Sequence, residues 1–133
     1  MSQANIAIAQ ALYAAFGRGD LDTILDGCAP DVEWQSGGRQ EDYPTFGLRK
    51  GKTEVEEFFR IVAQTQDFDE FTPQDFYADR DKVFVLGRYA MTLKKNGRKP
   101  ASEWIHIFSF QGGKVTKFRE FMDSAVYAEA FRG

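Results

Sequence analysis

The sequence has few of the residues that build covalent or metal-held frameworks, since its 133 residues include one cysteine and one histidine. A single cysteine, Cys28, cannot form an internal disulfide, which predicts a reducing, cytoplasmic location. One histidine and one cysteine, without any familiar ligand spacing, argue against a metal site. Gly37-Gly38 lacks the strand-to-helix context of a phosphate-binding loop, and we expect no cofactor.

Long apolar runs and an excess of positive charge are also absent. No stretch is long and apolar enough to span a bilayer, and no N-terminal signal pattern is present, so we expect neither a membrane nor a secreted protein. The net charge is −3 and the isoelectric point is near 5.2. An acidic chain of this kind argues against nucleic acid as a partner.

Aromatic residues are what the chain has in excess, at 15% of the sequence with 13 phenylalanines. The length predicts a single domain, residues 1–133, with a sizeable core. Apolar residues make up 43% and charged residues 28%, which is typical of a soluble globular protein. Thirteen phenylalanines exceed what a small core needs, so we expect them to line a cavity.

The first 36 residues predict two helices followed by a strand. Residues 5–16 repeat apolar side chains at i, i+3 and i+4, and Gly17 is expected to end that helix. Asp20 is expected to cap a second helix that carries Leu21, Ile24, Leu25 and Cys28 and ends at Pro30. Residues 32–36 alternate as a strand does.

The remaining segments predict a loop, a helix, four strands and a last helix. Residues 37–52 indicate a loop, and Thr53 with Glu56 indicates a capping box that starts the third helix. From about Phe68 the apolar period changes to that of strands. The expected strands cover 72–79, 82–94, 101–111 and 114–122, and the last helix covers 124–131. Helices followed by antiparallel strands predict an α+β fold in which a bent sheet wraps over the helices and leaves a cone with a mouth.

The one histidine lies in the middle of a predicted strand. Alternation places Trp104, His106, Phe108 and Phe110 on one face. The next strand brings carboxylates back past His106, and an imidazole beside a carboxylate in an apolar lining suits an acid/base pocket. The structural alternative is a buried histidine bonded to a neighbour without a catalytic role.

Which residue of the last strand faces His106 depends on the turn between the two strands. A three-residue turn, Gly112-Gly113-Lys114, puts Glu120 opposite His106, whereas a two-residue turn puts Arg119 there, because a one-residue slip exchanges the faces. The face with Glu120 is the more apolar of the two, with Thr116, Phe118 and Met122 against Lys117, Arg119 and Phe121. We therefore predict Glu120 in the pocket, with a surface carboxylate as the alternative.

Recognisable motifs occur in segments that together extend along nearly the whole chain: 11–16 with 19–22, 29–34, 51–59, 104–108, 112–115 and 118–121. These motifs resemble the nuclear transport factor 2-like superfamily, whose fold is also called cystatin-like, and within it the SnoaL-like and ketosteroid-isomerase-like proteins. The resemblance implies a cone-shaped α+β barrel with a pocket between the first helices and the inner sheet face. It also implies a homodimer formed through the outer sheet face, where Ile105 and Ile107 point away from His106.

The resemblance also implies roles for individual residues. Ser36 stands where steroid isomerases have their proton-shuttling aspartate, and His106 stands where they have a protonated aspartate that holds the enolate oxygen. The tyrosine of those isomerases aligns nearest Leu12, one place from Tyr13. Glu120 matches the catalytic aspartate of SnoaL-like cyclases and limonene epoxide hydrolases. No pair matches the hydrolase arginine and second aspartate, so epoxide hydrolysis is less favoured.

We therefore expect a small-molecule enzyme of the SnoaL-like group, of isomerase or cyclase type, which acts by cofactor-free proton transfer with His106 and Glu120 as its catalytic pair. Its ligand is expected to be a small apolar, cyclic or aromatic molecule. The predicted substrate-binding residues are Tyr13, Trp34, Ser36, Phe58, Tyr89, Met91, Trp104, Phe108, Phe118 and Met122. The rival hypothesis is a non-catalytic module of the same fold that binds a ligand or dimerises.

Overall fold

The structure is a computed structural model that describes residues 2–133. Over those residues it contains four helices and six strands. The helices are α1 (Ser2–Gly17), α2 (Leu21–Asp26), α3 (Gly51–Thr65) and α4 (Ser124–Arg132). The strands are β1 (Cys28–Ser36), β2 (Gly47–Lys50), β3 (Gln66–Asp79), β4 (Lys82–Leu93), β5 (Ala101–Gln111) and β6 (Lys114–Met122). The α+β class predicted from the sequence is confirmed.

The strands form one curved, unclosed sheet in the order β2-β1-β6-β5-β4-β3. Every neighbouring pair is antiparallel except β1 and β6, which run parallel, so the prediction of a wholly antiparallel sheet is wrong at that pair. Long intervening chain separates β1 from β6, and a long connection lets two neighbouring strands run in the same direction. Helix α1 packs against β3 and β4, and α3 packs against β1 and β2.

A glycine turn separates the first two helices. The N–H groups of Gly19 and Asp20 donate to the carbonyls of Phe16 and Ala15, and Gly19 has a φ of 70°. This is the hydrogen-bond pattern of a helix that is followed by a left-handed glycine, and Gly19 takes that position after α1, whose last residue is Gly17 as predicted. The Asp20 side chain accepts the N–H of Thr23, which confirms the predicted cap of α2.

The predictions for residues 28–30 were wrong. Cys28 begins β1 instead of lying on α2, and Pro30 lies inside β1 instead of ending the helix. The pairing of β1 with β6 is irregular between Cys28 and Glu33, so the ladder needs no N–H at Pro30. Burial raises the pKa of the Cys28 thiol to about 11, which leaves it an unreactive core group.

Two further corrections concern the start of α3. The predicted loop 37–52 contains β2, which pairs with β1. Helix α3 begins at Gly51, and its Lys50 cap has no side-chain hydrogen bond, so the capping box of Thr53 and Glu56 is wrong. The carboxylate of Glu54 accepts the Lys50 N–H at 2.7 Å.

Strand β3 is six residues longer at its start than predicted, because two irregularities interrupt its alternation. They lie between Phe68 and Glu70 and between Pro73 and Asp75, and the strand still pairs with β4 from Gln66 to Asp79. The predicted bounds of β4, β5, β6 and α4 are confirmed to within one residue.

The outer face of the sheet carries a row of exposed apolar side chains. Leu86 pairs with Ile105, which pairs with Phe121, and their exposed fractions are 37%, 42% and 47%. The homodimer that would cover this row stays a prediction. Within residues 2–133, no helix has both the length and the apolar composition needed to cross a bilayer.

Candidate active site

The site begins with the register of β5 and β6, in which His106 lies opposite Glu120 as predicted. The turn behind that prediction is different: it has two residues, Gly112 and Gly113, with φ of 57° and 78°. An irregularity after the Phe110–Val115 pair restores the register, because the next pair is Ser109 with Lys117 and Thr116 is left over. A bulge thus turns Glu120 inward.

A continuous chain of hydrogen bonds runs through this pair. The hydroxyl oxygen of Tyr13 lies 2.7 Å from His106 Nδ1, and His106 Nε2 lies 2.7 Å from Glu120 Oε2. Ser36 Oγ donates to Glu120 Oε1 at 2.5 Å, and the Tyr89 hydroxyl donates to Oε2 at 3.2 Å. Four elements, α1, β1, β4 and β5, therefore hold the carboxylate of β6 directly or through the imidazole.

The bonding partners fix how the imidazole is protonated in its neutral form. An ionised Glu120 can only accept, so Nε2 of His106 carries the hydrogen that lies between them. Nδ1 is then an acceptor, and the Tyr13 hydroxyl donates to it. Both ring nitrogens are thus occupied, and Tyr13 is the outer end of a relay that leads to Glu120.

The site's surroundings push two pKa values in opposite directions. Burial alone would raise the pKa of Glu120, whose side chain is 13% exposed, but the hydrogen bond and charge of His106, with the bonds from Ser36 and Tyr89, outweigh burial and lower it. Burial, reinforced by the charge of Glu120, raises the pKa of Tyr13 far above its ordinary value. Near neutral pH the carboxyl is therefore ionised and the phenol keeps its proton.

Trp104 holds the imidazole from its other side. Its ring stacks on His106 with centroids 3.8 Å apart and planes at 16°, while Phe118 meets the imidazole edge at 4.8 Å. The indole lies flat over β4 because position 87 is glycine: a Cβ there would lie 2.6 Å from Trp104 Cη2 and 2.5 Å from the Thr72 carbonyl oxygen. This mid-strand glycine thus makes room for the stack.

A cavity of about 80 Å³ lies beside the relay. His106 and Glu120 line it together with eight of the ten predicted substrate-binding residues. Those eight are Tyr13, Trp34, Phe58, Tyr89, Met91, Phe108, Phe118 and Met122. Ser36 and Trp104 lie behind the lining, where they contact Glu120 and His106. Over residues 2–133, no three side chains of His, Cys, Asp or Glu cluster as metal ligands.

Tyr43, Thr45 and Gln66 also line the cavity, and the sequence patterns did not predict this polar part of the lining. Two of these residues belong to the segment 37–52, which was predicted as a loop. The buried guanidinium of Arg49 folds that segment inward by donating to the carbonyls of Pro44, Thr45 and Phe46. The signal that was available is the aromatic pair of this segment, Tyr43 and Phe46, since loops at the surface seldom need two buried rings.

A second space, a groove of about 610 Å³, lies outside the cavity between α2, α3 and the start of β3. Phe16, Phe59 and Phe68 line both spaces, so these rings form the partition between them. Phe16 lies 5.9 Å from Phe59 and 5.6 Å from Phe68, between ring centroids. The groove and the cavity therefore adjoin at these three rings.

Comparison with known proteins extends over almost the whole chain. The profile of the SnoaL-like domain matches residues 9–118. An NTF2-like protein of Burkholderia xenovorans LB400 is 27% identical with a TM-score of 0.89, covering 98% of this chain and 97% of that one. An NTF2-like protein of unknown function from Burkholderia pseudomallei K96243 is 30% identical with a TM-score of 0.86, covering 99% and 97%. TerC, co-crystallized with polyporic acid, is 26% identical with a TM-score of 0.85, covering 98% and 99%. No protein with a curated description is significantly similar to the chain.

Proposed function

Because the chain belongs to the SnoaL-like domain family, we propose that it is an enzyme that moves a proton on a small apolar, cyclic or aromatic substrate without a cofactor. The observation that carries this proposal is the buried relay from Tyr13 through His106 to Glu120, which borders a cavity of mostly aromatic side chains. The crystallization of TerC, a protein of the same fold, with polyporic acid supports a small-molecule ligand.

Glu120 is the base in this proposal. Its lowered pKa keeps it ionised, and it is the one carboxylate that lines the cavity among residues 2–133. Ser36 and Tyr89 hold the carboxylate in one orientation while His106 supports its charge. A carbon–hydrogen bond beside a substrate carbonyl would break, its electrons would form an enolate, and the proton would pass to a carboxylate oxygen of Glu120.

Tyr13 stabilises the negative charge that develops on the substrate oxygen. Glu120 keeps the proton it takes, because Nε2 of His106 already carries a hydrogen and cannot accept a second one. The Tyr13 hydroxyl turns its hydrogen from Nδ1 to the enolate oxygen, whose negative charge makes it the stronger acceptor. Return of the proton to another carbon completes an isomerisation. His106 cannot donate to the oxyanion, because its one ring hydrogen lies between Nε2 and Glu120, so in this proposal Tyr13 takes the role that the resemblance implied for His106.

The size of the cavity favours a second candidate, a non-catalytic binding or dimerisation module. About 80 Å³ is roughly half of the ~150 Å³ that accepts a benzene ring, and ligand sites usually hold ~300–1,000 Å³. An enzyme must therefore open the phenylalanine partition towards the groove, whereas a module with a filled cone needs no such movement.

Exchange of substrate hydrogen with solvent tests the proposal without knowledge of the product. We expect the protein in D2O to catalyse loss of the proton signal beside the carbonyl in at least one member of a panel of cyclic and aryl ketones, followed by NMR. Glu120→Gln should slow this exchange by ~10²–10⁴-fold, because it removes the base. The matched control is Glu103→Gln, an exposed glutamate of β5, which should exchange at the wild-type rate. An unchanged rate in Glu120→Gln, or no exchange by the wild type, would favour the module.

A further inference from the structure

A second group of polar side chains lines the cavity away from Glu120. Gln66 is 6% exposed and borders both the cavity and the groove. Its Oε1 accepts the hydroxyl hydrogen of Tyr43, so its amide nitrogen faces away from that bond. Within residues 2–133 the Gln66 Nε2 has no hydrogen-bond partner, although it carries two hydrogens. The residue is buried but the Nε2 atom is not fully enclosed, so a ligand that enters the cavity or the groove can reach its two donors.

Two other residues of the cavity lining also carry a donor without a partner in the described part of the chain. The hydroxyl of Thr45, a residue 5% exposed, has no side-chain hydrogen bond within the described part of the chain. The Nε1 of Trp34 is buried and likewise unpartnered there. Each of the three groups has hydrogen to donate, and for the fully buried Trp34 Nε1 the lack of a partner is unfavourable. An oxygen atom of a ligand would give these donors an acceptor that the described residues do not provide.

The charges around the cavity indicate which kind of ligand oxygen these donors can bind. Glu120 is the only acidic or basic residue other than His106 that lines the cavity among residues 2–133, and a ligand carboxylate would meet its like charge. The nearest guanidinium, that of Arg49, already donates to three backbone carbonyls and does not line the cavity. Donors without a cation suit a neutral oxygen such as that of a ketone, ester or amide.

Three tyrosines connect the two polar groups. Tyr89, which donates to Glu120, lies 5.7 Å from Tyr127, and Tyr127 lies 5.8 Å from Tyr43, which donates to Gln66. A ligand along this wall would extend from Glu120 to the border of the groove. We infer that Gln66 is a binding residue whose amide N–H donates to a neutral carbonyl oxygen at the end of the ligand away from Glu120. The choice of reacting end rests on the proposed function, whereas the oxygen contact does not.

A matched pair of ligands tests this inference by binding alone. The probes are 1-indanone and indane, which differ by one carbonyl oxygen, titrated into the protein and followed by NMR. We expect the wild type to bind 1-indanone about threefold to tenfold more tightly than indane, as one neutral hydrogen bond allows, with a shift of the Gln66 side-chain amide signal. Gln66→Met should remove the preference and leave indane affinity unchanged. Gln10→Met, the same change on the exposed face of α1, should keep it.

Two further variants separate this inference from the proton-transfer proposal. Tyr43→Phe frees the Gln66 amide to rotate and should weaken the preference even if Gln66→Met fails to fold. Glu120→Gln should stop exchange and yet keep the preference. The inference is overturned if Gln66→Met keeps the preference for 1-indanone, if Glu120→Gln abolishes that preference, or if the wild type binds neither probe at millimolar concentration. The first two results do not bear on proton transfer, which the exchange experiment tests independently.

Discussion

The two polar ends of the cavity use their hydrogen-bonding groups in opposite ways. At the Glu120 end, each carboxylate oxygen and each imidazole nitrogen has a protein partner, and the charge is held by fixed neighbours. At the Gln66 end, the amide nitrogen and the hydroxyl of Thr45 have none in the described residues. A saturated network fixes geometry and protonation, as chemistry requires, whereas free donors are useful only when a ligand meets them.

Removal of the hydroxyl at the outer end of the relay is the largest expected perturbation among the predictions below. Tyr13→Phe leaves Nδ1 of His106 without its donor and leaves the enolate oxygen without a bond, so exchange should fall by ~10²–10³-fold. The assay is the D2O exchange described above, with circular dichroism to verify folding. Tyr77→Phe, at a residue 57% exposed, is the control that should exchange normally. Equal rates in Tyr13→Phe and the wild type would remove Tyr13 from the mechanism.

A substitution behind Trp104 should disturb the Glu120 end without contacting Glu120 or His106. Gly87→Ala drives a methyl group into the Trp104 ring and the Thr72 carbonyl, so we expect a loss of ~1–3 kcal/mol in unfolding free energy and an altered near-ultraviolet signal of the indole. Gly17→Ala is the matched control, because nothing lies within 4 Å of its added carbon, and it should not destabilise. If Gly87→Ala is as stable as the wild type, the Trp104 ring can shift to make room for the methyl group without a cost in stability.

Acid should reduce the stability that the Glu120 end contributes to the fold and should not affect the Gln66 end, which carries no charge. The pKa of Glu120 is lower in the folded protein than in the unfolded chain, so the unfolded state binds more protons and stability falls as pH decreases. The contribution is complete above the ordinary glutamate pKa of ~4.3 and is lost as pH falls through the lower, folded value. Urea unfolding from pH 7 to pH 3 should therefore show the difference between wild type and Glu120→Gln shrinking in that acid window. A constant difference would contradict the assigned direction.

The Glu120 end was predictable from sequence because its central pair is local. His106 and Glu120 belong to one hairpin, and the apolar pattern of both strands identifies the inward face regardless of the turn. The predicted three-residue turn was nevertheless wrong, since a bulge at Thr116 supplied the missing residue. Face patterning depends on burial over the entire strand, whereas turn length depends on a few residues whose conformations the pattern does not encode.

The Gln66 end was missed because long-range contacts build it. Arg49 draws residues 37–46 inward through three carbonyl bonds, and a charged residue in a glycine-rich stretch predicts solvent exposure instead. Gln66 is the first residue of β3, and the interruption between Phe68 and Glu70 hides the start of that strand from periodicity. Buried polar groups give no periodic signal unless apolar neighbours flank them at regular spacing.

The hydroxyl groups of two buried residues, one at the Glu120 end and one at the Gln66 end, allow the most direct comparison of how each end contributes to stability. Ser36 is 1% exposed and donates to Glu120, and Thr45 is 5% exposed with no side-chain partner among residues 2–133. Ser36→Ala leaves a carboxylate oxygen short of a donor and should cost ~1–2 kcal/mol of unfolding free energy. Thr45→Val removes an unused hydroxyl at nearly constant volume and should change stability by less than ~0.5 kcal/mol. Urea denaturation of the two variants at pH 7 measures both. A costly Thr45→Val would mean that its hydroxyl is bonded in solution, which would leave Gln66 and Trp34 as the two donors of this group that a ligand could bind.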